Sequence, residues 1–415
     1  MMISGKKNRV LIRELISHVL KSIDPYEKTF EKLEDVKRPS GKVYLVAFGK
    51  SSLKMAKAAT DFFEVEKGVV VTNEDVSRFG DSKIKYIQGG HPFPNEKSVE
   101  AAKYAIEILK KTSESDLVLV MISGGGSALF EYPKVDLETL QNITQSLMKS
   151  GANIEELNIV RKSLSFVKGG KLSDFARAPM ISFVMSDVIG DDLGTIASGP
   201  TFHQDISPRD IFEIFEKYGV EIPQTVEDAI KNNECVRSRK KVEHVIVASN
   251  RDACAAARNF MNSNGYETLY LGSGIQGESR EVAKALGGIY KEIESGHTDF
   301  SSPIAVISGG ETTVTVKGDG MGGRNQEMAL SIVPIIARRK ISFVSFGTDG
   351  IDGYSIAAGA IVDGTSLERA QNIGMDYKKF LNNNDSFHFF EKLDDLIITG
   401  PTGTNVMDIH VAIIL

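Results

Sequence analysis

A glycine-rich segment that follows an apolar run is the first candidate for chemistry. The run 116–122 leads into three consecutive glycines flanked by serines, namely Ser123, Gly124, Gly125, Gly126 and Ser127. Glycines let the backbone approach a ligand closely, and such a turn offers backbone N–H groups to an anion. An ordinary tight turn between a strand and a helix needs only one glycine. The segment therefore predicts a phosphate-binding loop, with a plain turn as the alternative.

Lys50 follows a second apolar run, 43–48, and precedes a helical pattern. A Walker A loop, with the spacing G-x-x-x-x-G-K-[ST], would need glycine at position 44, which is Tyr44. The segment is therefore not a Walker A loop. Positive charge is unfavourable at a helix N-terminus, so a lysine there indicates a bound phosphate or carboxylate more than a surface side chain.

Three carboxylates follow the apolar run 181–185, namely Asp187, Asp191 and Asp192. Mg²⁺ takes one or two carboxylates together with phosphate oxygens and water, which makes Asp187 and Asp192 candidate metal ligands. A carboxylate here could instead accept a proton from a substrate hydroxyl, or cap a turn. Asp187 lies nearest to the end of the run and is the first choice for either chemical role.

Arg324 and Asn325 begin a helical pattern directly after the glycine-rich segment 318–323. Arginine binds a carboxylate or a phosphate through two parallel hydrogen bonds, and Asn325 is close enough in sequence to reach the same ligand. Asp349 follows the apolar run 341–347 and is a further candidate to accept a proton. Each of these residues alone is compatible with turn chemistry, whereas together they predict an anion site.

A polar strip lies beside the apolar seam of the helical segment 153–172, and its members are Asn158, Arg161, Ser165 and Lys168. Two interpretations of this strip are possible. The strip faces a cleft, or it is an ordinary solvated face of a helix.

The elements that position these residues are apolar runs that alternate with helical patterns. Such runs predict buried strands of parallel sheets, and they occupy 43–52, 116–130, 181–192, 244–253, 267–277, 304–312, 341–350 and 395–405. Ligands of open parallel sheets bind beyond the carboxyl ends of the strands, where the polar residues named above lie. The segment 313–323 is typical of a strand entering a glycine turn, and it predicts an antiparallel element in a mixed sheet.

The spacing of the runs favours two α/β domains over one (β/α)₈ barrel, because the first two runs lie much farther apart than the later ones. We place the domains at 1–235 and 236–415, with the boundary in the polar stretch 231–241. An apolar stripe at helical period predicts a first helix over 8–23. A cleft between the domains is the expected place for the active site.

Composition excludes several classes of protein. The chain of 415 residues has a net charge of −6, whereas nucleic-acid binding needs a basic face. Two cysteines, Cys235 and Cys254, cannot build a disulfide framework or a four-thiolate zinc site. The absence of a long apolar run predicts no membrane span and no signal peptide, and therefore a cytoplasmic protein.

Eight segments resemble, in order, those of one family: VAFGKSSLKMAKAA, QGGHPFPNEKS, ISGGGSALFEYP, LNIVRKSLSFVKGGKL, SDVIGDDLGTIASGPT, GGETTVTVKGDGMGGRNQEMAL, FGTDGIDG and TGPTGTNVMDIH. The family is that of the type 2 glycerate kinases, whose C-terminal domain is called the multi-organism fragment rich in leucine. The resemblance runs across nearly the whole chain. It implies a Rossmann-like first domain with a mostly parallel sheet, and an active site between the domains.

The resemblance implies a kinase that phosphorylates D-glycerate at its 2-hydroxyl with ATP and Mg²⁺. It also implies that Lys50 and Arg324 are the active-site cations. We expect both to bind substrate, together with Asn325 beside Arg324. On this hypothesis the loop 123–127 binds the nucleotide phosphates, and Asp187 and Asp192 hold the metal. Asp187 or Asp349 accepts the proton of the substrate hydroxyl.

Three alternatives stay open. A kinase could form 3-phosphoglycerate, since glycerate offers two hydroxyls. A hydroxypyruvate reductase dependent on NAD(P)H is supported only by the glycine pattern GSGIQG at 272–277. A sugar-acid sensor without catalysis would usually carry an output module, and we find none in the sequence. We expect a small-molecule substrate and neither nucleic acid nor membrane as a partner, and a homodimer is compatible with the sequence.

Overall fold

The structure, a computed structural model, describes residues 2–232, 242–300 and 302–415. The chain forms two compact units, Pro25–Val247 and Met1–Asp24 together with Ala248–Leu415. The predicted boundary between residues 235 and 236 lies outside the described residues. The first helix, α1 (Met2–Ser22), was expected in the N-terminal domain, but it belongs to the unit that contains the C-terminal sheet.

Helices account for much of both units. Those of Pro25–Val247 are α2 (Pro25–Leu33), α3 (Ser52–Phe62), α4 (Glu96–Leu109), α5 (Gly126–Leu129), α6 (Leu137–Lys149), α7 (Ile154–Ser163), α8 (Lys171–Asp174), α9 (Pro208–Tyr218) and α10 (Gln224–Lys231). The other unit adds α11 (Asn250–Ser263), α12 (Ser279–Glu294), α13 (Arg324–Ile332), α14 (Ser366–Asn372), α15 (Tyr377–Asn382) and α16 (Ser386–Leu393) to α1. Within the described residues, no helix is long and apolar enough to cross a membrane.

The sheet of Pro25–Val247 has the strand order of a Rossmann-like fold. Its strands are β1 (Val43–Phe48), β2 (Val65–Thr72), β3 (Ile84–Gln88), β4 (Leu117–Ile122), β5 (Met180–Met185) and β6 (Glu243–Ala248), in the order β3-β2-β1-β4-β5-β6. The pairs β1–β2, β1–β4, β2–β3 and β4–β5 are parallel. Every residue of β1 and β4 is buried, as expected for central strands covered on both faces. The predicted Rossmann-like domain is confirmed.

The second sheet is mixed, as predicted. Its strands are β7 (Glu267–Ile275), β8 (Ile304–Gly310), β9 (Ile341–Gly347), β10 (Gly359–Asp363), β11 (Leu396–Ile397) and β12 (Asp408–Ile414), in the order β11-β10-β9-β12-β8-β7. β7 and β8 are parallel, whereas β12 runs antiparallel to both β8 and β9. Asp408, the first residue of β12, is therefore paired with Gly310 and Gly347, at the edge where β8 and β9 end.

Several strand predictions were wrong or incomplete. The strands β2, β3, β10 and β12 were not predicted, and β2 and β3 fill the long interval between the first two apolar runs. The segment 313–323 is not a strand and forms only an isolated bridge between Glu278 and Thr313. Its backbone N–H groups at 317 and 318 donate to the side chain of Asn384 instead of to a neighbouring strand.

The helix predicted over 153–172 ends at Ser163. Beyond it, the Leu164 carbonyl accepts from the N–H of Lys134 at 2.8 Å, and the N–H of Phe166 donates to the Tyr132 carbonyl at 2.8 Å. These backbone bonds replace helical ones, because the chain turns back along residues 132–134. The polar strip is thus divided between α7 and the segment that follows it.

Candidate active site

The two predicted anion-binding segments meet at one point of the Rossmann-like sheet. β1 and β4 are neighbours at the place where the strand order reverses, and ligands of such sheets bind at their carboxyl ends there. The N–H of Lys50 donates to the Gly124 carbonyl at 2.8 Å. The N–H of Ser51 donates to Ser123 Oγ at 3.0 Å. The loop after β1 is therefore joined directly to the loop after β4.

Two glycines allow this close approach. A Cβ on Gly49 would lie 2.2 Å from Ser123 Oγ, and the φ of Gly49 is +121°. Gly125 has a φ of +80°, and a Cβ there would lie 3.1 Å from His91 Cδ2 and 3.4 Å from Lys50 Cγ. Residues other than glycine rarely adopt such φ angles. The contacts of Gly125 also show that His91, in the loop after β3, lies beside Lys50.

The meeting point is rich in unused hydrogen-bond donors. The Lys50 ammonium forms no hydrogen bond or ion pair with any residue that the structure describes. The backbone N–H groups of Gly124 and Gly125 likewise have no acceptor in the described ranges. A cation next to two open N–H groups is a suitable environment for a phosphate or a carboxylate.

Asp187 lies after β5, close enough to Lys50 for their charges to interact. Burial raises the pKa of its carboxyl to about 6, while the Lys50 ammonium opposes that rise. A carboxylate with a pKa in this range can take up a proton near neutral pH, which suits a general base. The structure thus brings together Lys50, the loop 123–127 and Asp187, as the sequence suggested.

Asp192, the second predicted metal ligand, occupies a different environment. It is exposed, its Oδ1 accepts from the N–H of Gly194 at 3.1 Å, and its Oδ2 accepts from Thr195 Oγ1 at 2.6 Å. Asp192 therefore caps a turn. Among the described residues, no group of three or more His, Cys, Asp or Glu side chains could hold a metal ion. A bound Mg²⁺ would have to take most of its oxygens from a ligand and from water.

The Ser127 hydroxyl begins a short chain of hydrogen bonds. Its Oγ lies 2.9 Å from Ser198 Oγ, which in turn donates to Asn158 Oδ1 at 2.9 Å. Ala197 and Ser198 have φ values of +51° and +62°, which are uncommon for residues other than glycine. Strained backbone of this kind occurs mostly at functional sites, where the surrounding structure maintains it.

A buried ion pair lies under the same loop. Lys168 Nζ is 2.6 Å from Glu131 Oε2, and both side chains are buried. Nζ also donates to the carbonyls of Ser127, at 2.7 Å, and Phe130, at 3.3 Å. Ser165 Oγ donates to the other Glu131 oxygen at 2.5 Å. These members of the polar strip are therefore buried supports of the glycine loop.

Arg324 begins α13 in the other unit and is held by two carboxylates. Its Nε and Nη2 donate to Asp408 Oδ2 and Oδ1 at 2.6 and 3.1 Å. Its Nη1 lies 2.7 Å from Glu311 Oε1. The side chain is about one third exposed, so the outer N–H groups of the guanidinium remain accessible. The carboxylates raise the pKa of Arg324 although burial opposes this, and the cation is permanent.

Asn325 is held by buried groups on both sides. Its Nδ2 donates to Asp408 Oδ1 at 2.9 Å and to Asp352 Oδ1 at 3.3 Å, and its Oδ1 accepts from Ser345 Oγ at 2.6 Å. Ser345 Oγ is also 2.9 Å from His410 Nδ1. This network fixes the amide orientation of Asn325, because its carbonyl faces a hydroxyl and its amino group faces two carboxylates.

Asp349 lies near the same group of residues. A Cβ built on Gly347 would be 3.3 Å from Asp349 Oδ1, 3.4 Å from Asp408 Oδ1 and 3.5 Å from Asn325 Nδ2. Asp349 Oδ1 also accepts from the N–H of Ile351 at 3.1 Å. The predicted residues Arg324, Asn325 and Asp349 are therefore gathered at one edge of the mixed sheet.

Sequence reasoning missed Asp408 and Glu311, which position Arg324, and it did not assign a role to Glu131. Asp408 was missed because candidates were sought at the carboxyl ends of strands. It stands at the amino end of β12, which reaches the same edge because β12 is antiparallel to its neighbours. An acidic residue before the apolar run 409–414 was the signal that could have found it.

A Rossmann-like sheet with an unpaired lysine and open N–H groups at its switch point, in one chain with a mixed-sheet unit, places the protein among the two-unit α/β proteins and suits a site for an anion. Residues 11–231 match the family described as a domain of unknown function, DUF4147, and residues 304–408 match the MOFRL family. Together with full-length relatives that are named glycerate 2-kinases, these matches show that the chain belongs to the type 2 glycerate kinase family.

Three relatives are similar to this chain over 90% or more of its length. A glycerate 2-kinase from Pyrococcus horikoshii is 39% identical over 426 residues, which cover 96% of each chain. A crystal structure of a glycerate kinase from Thermotoga maritima matches with a TM-score of 0.94 at 37% identity, over 99% of this chain and 100% of that one. A relative from Agrobacterium vitis, 38% identical over 388 residues (90% of this chain and 100% of that one), carries the provisional name of a hydroxypyruvate reductase.

Proposed function

We propose that this chain transfers the γ-phosphoryl group of ATP to the 2-hydroxyl of D-glycerate and releases 2-phosphoglycerate and ADP. Membership of the family supports a kinase, which requires a nucleotide co-substrate and a small-molecule acceptor. The observation that carries the proposal is the unpaired Lys50 ammonium beside the open N–H groups of Gly124 and Gly125. Phosphoryl transfer depends mainly on positioning and on charge neutralisation, and this arrangement supplies both.

In the proposed reaction the loop 123–127 binds the nucleotide phosphates, and Lys50 neutralises charge that develops on the transferring group. The 2-hydroxyl oxygen of glycerate attacks the γ-phosphorus, and the bond from that phosphorus to the leaving oxygen of ADP breaks. Asp187 accepts the hydroxyl proton, which its raised pKa allows. The phosphoryl group is thereby exchanged for one proton, with no covalent intermediate on the protein.

Mg²⁺ is proposed to enter with the nucleotide, since it commonly keeps phosphate oxygens and water as ligands. The described residues do not assemble a cage for it, because both oxygens of Asp192 are engaged in a turn.

Arg324 and Asn325 are proposed to bind an anion of the reaction. The guanidinium keeps two N–H groups beyond those that bind Asp408 and Glu311, and these suit an oxygen of the carboxylate or of the transferring phosphoryl group. Asp349 is the alternative proton acceptor. A homodimer and a cytoplasmic location stay predictions from the sequence.

The test is to incubate the purified protein with ATP, Mg²⁺ and D-glycerate and to identify the product by ³¹P NMR. We expect the resonance of 2-phosphoglycerate, which differs from that of 3-phosphoglycerate. Omission of Mg²⁺, and replacement of D-glycerate by L-glycerate, are the controls. Formation of 3-phosphoglycerate would reject the 2-position, and formation of neither product would reject the kinase.

The reductase alternative has little support from the glycine pattern 272–277. Gly272 pairs with Ser308 and Ile275 pairs with Gly310, so most of this pattern lies in the edge strand β7. A dinucleotide site needs these glycines in the turn between a strand and a helix. We therefore expect no oxidation of NADH or NADPH with hydroxypyruvate, measured by absorbance under the same conditions.

A further inference from the structure

A pocket beside the glycine loop of the Pro25–Val247 unit has no role in the reaction as proposed so far. Apolar groups from Phe93 and Leu140 line part of it, and the polar groups come from Ser127, Glu131, Gln141, Thr144 and Arg161. Its empty space, with the open solvent at its mouth included, measures about 380 Å³. The pocket therefore suits a small ligand with both polar and apolar parts.

Arg161 is the unusual group of this pocket. Its guanidinium makes no hydrogen bond or ion pair with any residue in the described ranges. Burial lowers the pKa of Arg161, which means that its surroundings disfavour the charge. A half-buried guanidinium without a partner is costly, because a buried charge is normally paired. The Arg161 guanidinium therefore does not stabilise the fold, and its position indicates a role in ligand binding.

The nearest carboxylate does not neutralise Arg161. Glu131 is close enough to interact with it electrostatically, but Lys168 and Ser165 occupy the two oxygens of Glu131. Burial and the positive charge of Lys134 also lower the pKa of Lys171 to about 7. The region thus holds more positive than negative charge, which favours the binding of an anion.

A second unused donor lies one turn earlier on α7. Asn158 is buried, and its Nδ2 has no acceptor among the residues that the structure describes. Its Oδ1 accepts from Ser198, which fixes the amide. Buried polar groups are normally satisfied, so an unsatisfied one beside an unpaired cation indicates a ligand or water.

We propose that this pocket binds the carboxylate of the three-carbon acid through the guanidinium of Arg161, in two parallel hydrogen bonds. The proposal rests on the proposed function for the identity of the acid. The apolar wall would pack against the carbon chain, and Ser127 would place the substrate beside the nucleotide loop. Arg161 would then carry the carboxylate, which leaves Lys50 for the phosphoryl group that is transferred.

The experiment compares Arg161→Gln and Arg161→Lys with wild type and with Arg209→Gln, a control at an exposed residue of α9. We expect the KM for D-glycerate to rise roughly 10- to 100-fold in Arg161→Gln, because a charge-assisted hydrogen bond is lost. The KM for the nucleotide should change by less than about threefold. Arg161→Lys keeps the positive charge but loses the planar pair of donors. Its KM for D-glycerate should therefore lie between those of wild type and Arg161→Gln.

A structural role for Arg161 would give a different result. Since its charge is unpaired and disfavoured, Arg161→Gln should unfold thermally at the same temperature as wild type or higher. A marked loss of stability would overturn the proposal. A rise in the nucleotide KM alone would assign the pocket to a nucleotide phosphate and also overturn it, as would unchanged kinetics for both substrates.

Ligand binding without turnover separates this proposal from the proposed function. D-glycerate alone should raise the unfolding temperature of wild type but not of Arg161→Gln, while ATP alone should raise both. If wild type made no phosphoglycerate and yet showed this pattern, the pocket would stand and the kinase would fail. If D-glycerate stabilised both proteins equally, the pocket would fail whatever the activity.

Discussion

Arg324 and Asp408 form a two-point ion pair in which the carboxylate is fully buried and the guanidinium is about one third exposed. The pair joins the first residue of α13 to the first residue of β12. Because both Asp408 oxygens are used, by Arg324 and in part by Asn325, the side chain of Arg324 is held in one orientation before any ligand binds. Preorganised charge of this kind is what stabilises developing charge without reorganisation.

Asp408→Asn tests this positioning. The substitution leaves Arg324 without its buried partner and turns an amide N–H₂ toward the donors of Arg324 or Asn325. We expect the free energy of unfolding to fall by about 1–3 kcal/mol, measured by urea denaturation, because charge-assisted hydrogen bonds to a buried carboxylate are lost while Glu311 still pairs with Arg324. Asp299→Asn, at an exposed aspartate of the same unit, should stay within about 0.5 kcal/mol of wild type. Equal stability of the two variants would contradict the role of Asp408.

Lys50→Met tests the unpaired cation. No ion pair or hydrogen bond within the described chain is lost, so we expect an unfolding temperature close to that of wild type. Activity with ATP and D-glycerate should fall roughly 100- to 1,000-fold, the cost of removing one preorganised donor at a charged transition state. Lys57→Met, at an exposed lysine of the helix α3 that follows Lys50, is the matched control. Activity within threefold of wild type in Lys50→Met would remove Lys50 from the mechanism.

The sequence was sufficient to locate the residues that follow parallel strands. Lys50, the loop 123–127 and Asp187 stand at the ends of β1, β4 and β5, and the order of these strands brings their ends together. The apolar runs predicted the strands because central strands are buried on both faces and read as continuous apolar stretches. The sequence therefore predicted which of these residues lie close together, because parallel strands end at the same edge of a sheet.

The partners of those residues could not be predicted in the same way. Asp408 is recognised only when β12 is known to be antiparallel, and its run was not predicted as a strand. Lys168 was expected on a helix, and its pairing with Glu131 depends on a backbone turn that local propensity does not specify. Buried ion pairs are tertiary features, whereas periodicity reports only which faces are apolar.

Asp187 predicts how activity depends on pH. Its carboxyl pKa is raised to about 6, and only the ionised form can accept the hydroxyl proton. We therefore expect kcat/KM to be constant above this pKa and to fall about tenfold for each pH unit below it. The kcat/KM of Asp187→Asn should be low at every pH and should not show this fall at low pH. Asp228→Asn, at an exposed residue of α10, should keep the fall. An unchanged midpoint in Asp187→Asn would assign the step to another group.

Gly125→Ala tests the close approach of the loop to Lys50 and His91. The φ of +80° is unfavourable for alanine by about 1–2 kcal/mol, and the new Cβ would lie 3.1 Å from His91 Cδ2. We expect a loss of stability of about that size together with a higher KM for the nucleotide. Gly151→Ala has a φ of +90° with no atom within 4 Å, so it should lose stability without any change in KM. Identical nucleotide KM values for both variants would contradict a phosphate-binding role.

The buried pair of Lys168 and Glu131 is tested by a double-mutant cycle. Lys168→Met leaves Glu131 charged and without its cation, and Glu131→Gln leaves Lys168 with only carbonyl acceptors. Each single substitution should lower the free energy of unfolding by about 3–5 kcal/mol. The double variant should be more stable than the sum of the two losses predicts, since no buried charge of this pair remains.

The same cycle distinguishes a loss of stability from a displacement of the glycine loop 123–127. Lys168 donates to the carbonyls of Ser127 and Phe130, whereas the Glu131 carboxylate binds Lys168 and Ser165. Lys168→Met should therefore raise the KM for the nucleotide in the single and in the double variant alike. Recovery of a wild-type KM in the double variant would mean that the loop responds to the unpaired charge of Glu131 and not to the lost bonds from Lys168.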